Sequence, residues 1–130
     1  MRIKFIWYKS EVWGDLRPSC VALDAPESFK SCLCNLLVDD GGNPNFSYID
    51  WALIGLAKIE SIKEGAVTSE DWSSNSWDAL LNKDDVKIMF LYDENFYDIM
   101  SIETVEKIIR EWVNFIQSEA VLDKTEELIL

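Results

Sequence analysis

Apolar and polar residues alternate along RIKFIWY (2–8), with Ile3, Phe5 and Trp7 on one side and Lys4, Ile6 and Tyr8 on the other. A period of two in β-branched and aromatic residues predicts a strand buried on at least one face. SCVALD (19–24) reads as a second, shorter strand after a loop holding Gly14 and Pro18. The period then changes to that of a helix. In PESFKSCLCNLLV (26–38), Phe29, Cys32, Leu33, Leu36 and Leu37 fall on one stripe. Pro26 suits the first helical position, with Asp24 just upstream and Glu27 in the first turn. Gly41, Gly42 and Pro44 in DDGGNPN (39–45) supply turn chemistry.

The next periodic segment, SYIDWALIGLAKIESIKEGA (47–66), opens on Ser47-x-x-Asp50, a loose capping box, and stops at Gly65. Its stripe is Ile49, Ala52, Leu53, Leu56, Ile59 and Ile62. Gly55 inside it costs roughly 1 kcal/mol relative to alanine, so a neighbouring element is expected to approach closely there. AVTSEDWSSN (66–75) reads as a polar connector carrying Trp72. SWDALLN (76–82) and VKIMFLY (86–92) then flank Lys83-Asp84-Asp85 as the arms of a hairpin. The second arm has Val86, Ile88, Phe90 and Tyr92 on one face and Met89 and Leu91 on the other, the pattern of a central strand. A turn at Asp93-Glu94-Asn95 leads to a short third strand, FYDIM (96–100).

Ser101 is placed to cap a last helix over 102–118, with Met100 and Val105 as a hydrophobic staple. Ile102, Val105, Ile108, Ile109, Trp112, Val113, Phe115 and Ile116 form a stripe wide enough to lie on a sheet. The remainder, 119–130, reads as a frayed tail. The expected fold is a single α+β domain over 1–130, with an antiparallel sheet and about three helices packed against it.

Composition narrows the chemistry. There are 24 acids against 12 bases in 130 residues, a net charge of −12. That charge repels nucleic-acid phosphates and anionic membranes and attracts basic partners. It is unevenly placed: residues 1–36 carry +1 and residues 37–130 carry −13. The 48% apolar content belongs to a core-forming chain rather than a disordered acidic tail. Cys20, Cys32 and Cys34 are odd in number and read as free, buried thiols of a reducing cytoplasm. The N-terminus has no apolar run of signal-peptide length and no segment is expected to span a membrane, so the expected location is cytoplasmic.

Histidine is absent, which removes Ser-His and Cys-His pairs and most zinc arrangements. No glycine-rich phosphate loop or calcium loop is present. The paired acids Asp39/Asp40, Glu70/Asp71, Asp84/Asp85 and Asp93/Glu94 fall in expected turns and connectors, not across a cleft. The expectation is a protein with no enzymatic activity, cofactor or metal. What stands out instead is FLYDENFYDI (90–99), four rings and three carboxylates in ten positions, and the exposure expected of Trp72 and Trp77 beside a Ser/Asn-rich connector. Rings beside acids suit a protein interface, in which rings anchor and acids steer. The candidate partner-binding residues are Trp72, Trp77, Asp78, Asp84, Asp85, Tyr92, Asp93, Glu94, Tyr97 and Asp98.

The order of features from residue 50 to 118 resembles that of the immunity proteins of bacterial toxin systems, those of contact-dependent growth inhibition above all. A helix ends in glycine and a connector carries Trp72. SNSWDALLNKDDVKIMFLYDENFYDIMSIETVEKIIREWVNFI then supplies hairpin, return strand and closing helix. The resemblance implies an inhibitor that binds the C-terminal domain of a cognate secreted toxin in the cytoplasm of the producing cell. Many such toxins are nucleases, whose clefts are basic because they hold phosphates. The alternative reading is an acidic adaptor or regulatory subunit with no toxin partner.

Overall fold

A computed structural model describes residues 1–23 and 32–130. The fold is α+β, with two antiparallel sheets and three helices among these residues. The first strand, β1 (Arg2–Lys9), buries Ile3, Phe5 and Trp7, the set its alternation predicts. It pairs with β2 (Leu16–Ala22). The second strand thus starts earlier than expected and includes Pro18, opposite Trp7. The order β2-β1-β7 makes β2 an edge strand, where a residue without an N–H is tolerated.

The third strand of this sheet corrects the reading of the C-terminus. Thr125–Ile129 is not frayed: it forms β7, antiparallel to β1 from Arg2↔Ile129 to Ile6↔Thr125. Leu130 N–H donates to the Met1 carbonyl at 2.9 Å, which fastens the two ends of the chain together.

Helix α1 is described over Cys32–Val38, with Cys32, Leu33, Cys34, Leu36 and Leu37 buried. The expected helix start around Pro26, with Glu27 and Phe29, lies outside the described residues. All three cysteines are free and buried, and the Cys20 Sγ lies 2.9 Å from the Cys34 Sγ, bringing β2 against α1. Burial, with the neighbouring thiol, pushes the Cys20 thiol well above its ordinary pKa.

Helix α2 (Tyr48–Lys63) is capped by Ser47, whose hydroxyl accepts the Asp50 N–H, and Gly65 follows its end at φ 79°. Its buried line is Ala52, Gly55, Ile59 and Ile62; Leu53 lies to one side of it and is exposed. Gly55 does meet a close neighbour. A Cβ there would stand 2.6 Å from the Trp72 ring.

Trp72 belongs to β3 (Ser69–Ser73), a strand where a connector was expected. It begins the second sheet, β3-β4-β5-β6, with β4 Trp77–Asn82, β5 Asp85–Phe90 and β6 Asp93–Ser101. The predicted hairpin is β4-β5, and both of its arms are central strands. The turn after β5 is Leu91-Tyr92 rather than Asp93-Glu94-Asn95, since Phe90 already pairs with Asp93. Met89 pairs with Tyr97, so Glu94, Asn95 and Phe96 are extra residues in a bulge on β6.

Ser101 caps α3 (Ile102–Gln117) by accepting the Thr104 N–H, and every residue of the predicted apolar stripe is buried. This helix touches β5, β6 and β7 and so joins the two sheets. Trp112 and Phe115 meet Phe5 of β1 at ring-centroid distances of 5.4 and 5.6 Å. One apolar cluster contains residues of both sheets and all three helices.

Candidate interaction surface

Alternation along the four-stranded sheet assigns each side chain to a face. Trp72, Ala79, Leu81, Val86, Ile88 and Met100 point inward and are buried. The outward residues form cross-strand rows. One runs Ser73–Asp78–Met89–Tyr97, the next Asp71–Leu80–Lys87–Ile99. Leu80, Tyr97 and Ile99 are exposed by 39%, 39% and 58%, so no described element covers this face. The Lys87 ammonium sits 4.6 Å above the Tyr97 ring centre, a cation–π contact, and Asp78 accepts a hydrogen bond from the Ser73 hydroxyl.

The ten candidate residues separate into four groups. Asp78 and Tyr97 lie on the outward face. Trp77, Tyr92, Asp93 and Glu94 gather at the end of the sheet near the Leu91-Tyr92 turn. There Trp77 packs on Phe90 (5.0 Å) and Phe96 (5.8 Å), Phe90 packs on Tyr92 (5.4 Å), and Tyr92 is 77% exposed. The bulge is what brings Phe96 into this cluster. Asp84 and Asp85 lie at the opposite end, beside the β4–β5 turn. The length of β5, roughly 17 Å at 3.3–3.4 Å per residue, separates the two acid pairs.

The fourth group corrects the sequence reading. Trp72 was expected near the surface but is 1% exposed, held between the Gly55 backbone and the Trp51 ring at 5.0 Å. Asp98, a candidate partner-binding acid, instead pairs with Ile88 on the inward face and is 5% exposed. Its Oδ2 accepts the Cys32 backbone N–H at 3.0 Å, which ties β6 to the start of described α1. A buried carboxylate so engaged holds the fold and cannot steer a partner.

Other groups are committed to the scaffold. Asp39 lies beside a 350 Å³ cleft also lined by Asp40, Phe46 and Trp51. Its Oδ2 accepts from the Ser74 hydroxyl at 2.6 Å and the Ser76 N–H at 3.0 Å, while Asp40 accepts from Gly42 N–H at 2.8 Å. These acids bind turns together instead of standing free in solvent. Arg17, at a 260 Å³ cavity with Trp7 and Tyr48, is buried, bidentate to Asp15 at 2.9 and 3.1 Å, and donates to the Pro44 carbonyl. The guanidinium holds the Asp15 carboxyl below its ordinary pKa.

Sequence reasoning missed Leu80, Met89, Ile99, Asp71 and Lys87 as surface partners of Asp78 and Tyr97. The signal was the presence of apolar residues on both faces of β5. No family model matches the chain, and no curated protein or solved structure does either. Among the described residues, no helix is long and apolar enough to cross a membrane.

Proposed function

We propose that the protein is an inhibitor of the immunity type, which neutralises a cognate basic toxin domain, of nuclease class, by binding it in the cytoplasm of the producing cell. The observation that carries this reading is where the charge lies. Residues 69–101, which contain the four-stranded sheet, hold eight acids and two bases, half of the net charge of −12 in a quarter of the chain, and all of these acids but Asp98 are at least partly exposed. Several of these acids flank exposed rings and aliphatic side chains, a composition that suits steering plus desolvated anchoring. The order of elements that resembles immunity proteins adds to it. Inhibition needs no reacting group on this chain, only occlusion of the partner's basic cleft.

The test is co-expression with the product of the reading frame next to this gene. The reading expects a basic domain that co-purifies with the protein, and it expects the protein to restore growth to cells expressing that domain. Co-purification without any rescue of growth would favour an acidic adaptor over an inhibitor.

A further inference from the structure

We infer that the outward face of the four-stranded sheet, rather than its hairpin ends, is the docking surface, and that its occupant is a basic protein with an apolar centre to its contact patch. This inference rests on the inhibitor reading and assigns the surface by which it acts. The face has the layout of an interface core with a charged rim. Leu80, Met89, Tyr97 and Ile99 come from three adjacent strands and occupy two neighbouring cross-strand rows, so their side chains are contiguous. Asp71 and Asp78 flank them in the same rows on β3 and β4. A solvent-facing sheet surface ordinarily alternates to polar residues. Here β6 presents Ile99 at 58% exposure, where a polar residue would ordinarily stand.

Charge selects among occupants. With the buried Asp98 set aside, Asp71 and Asp78 outnumber Lys87 in these rows, and the rest of residues 69–101 adds five acids and Lys83, a balance that disfavours nucleic acid and anionic lipid. It also disfavours a second copy, which would bring two like-charged faces together. A basic protein gains from the same charges. Lys87 is the one base in these rows and lies over Tyr97, where it would repel a partner's base and admit a carboxylate, setting orientation on the face. The residues of the face stand on four hydrogen-bonded strands rather than on loops, so docking need not order them first.

The experiment measures the Kd of the purified full chain for the purified product of the adjacent reading frame, by calorimetry. The variants are Ile99→Lys and Leu80→Lys on the outward face, and Ile129→Lys on the other sheet as a control. Ile99 and Ile129 are exposed by 58% and 71%, so each variant is expected to melt like the parent. Leu80→Lys, on a different strand, repeats the test should Ile99→Lys fold poorly. The inference expects both outward-face variants to weaken binding by about 30-fold or more, and the control to bind as the parent does. Parent-like affinity in both outward-face variants would overturn the surface assignment while leaving the inhibitor reading intact. A parent chain that binds no basic domain at all would overturn both.

Discussion

The two sheets share a construction and differ in what they show to solvent. Each is antiparallel and buries its inward residues against the helices. The outward rows of the three-stranded sheet set Arg2 and Lys4 beside exposed Tyr8, Val21 and Ile129, and Arg2 pairs with Glu127 at 3.4 Å. The outward rows of the four-stranded sheet set Asp71 and Asp78 around Leu80, Tyr97 and Ile99, so the two faces are alike in exposing apolar side chains and differ in the charge beside them. Burial dictates the inner face of both. The outer faces are under no such constraint, and there the charge around the exposed apolar residues is free to differ.

Substitutions can separate what the sheets share from what distinguishes them. The largest effect is expected where they meet. Trp112 is fully buried and packs on Phe5, so Trp112→Ala should cost about 3–5 kcal/mol and be visible in chemical denaturation. A parent-like midpoint would mean that α3 does not join the sheets. Gly55→Val drives a side chain into Trp72, which Trp51 backs, and should cost about 1–3 kcal/mol. Asp98→Ala leaves the buried Cys32 N–H without this acceptor and should cost about 1–3 kcal/mol. Tyr97→Ala, at an exposed neighbour whose ring carries the Lys87 cation–π contact, should cost less than Asp98→Ala; equal losses at 97 and 98 would break the assignment of faces.

The smallest effect is electrostatic. The Glu106 carboxyl is held below its ordinary pKa by Lys63 at 2.9 Å, with Arg110 adding to it. A lowered folded pKa contributes stability that is complete above the unfolded value and is lost as pH falls through the folded one. The melting temperature of Glu106→Gln should therefore sit slightly below that of the parent near neutral pH, and the gap should close in acid. A gap that widens in acid would contradict the pairing.

Legibility in the sequence followed periodicity. The stripe of α3 and the alternation of β1 each span enough residues to identify the buried side, and the structure buries those residues. SEDWS has one large apolar side chain in five residues, too few to reveal a period, so β3 looked like a connector. The clue to Trp72 lay at Gly55, whose missing side chain makes room for the ring. TEELI is polar because β7 is an edge strand with most of its residues in solvent, and only pairing with β1 distinguishes it from a tail. Asp98 shares parity with Met100, which placed it inward, but its charge argued for solvent. The hydrogen bond to Cys32 that settles the conflict spans 66 residues and has no local signature. The outward face was hidden for a similar reason: Leu80, Met89 and Ile99 become neighbours only through strand register.

If the acidic sheet face draws in a basic partner, the association rate of the parent chain with that partner, followed by stopped flow at low and high salt, should carry the mark of steering. Exposed charges act mainly through steering, which salt screens over about 10 Å at 0.1 M. The rate should fall steeply as salt rises, with a shallower fall in the doubly neutralised Asp71→Asn/Asp78→Asn chain. A parent rate that does not change with salt would contradict it.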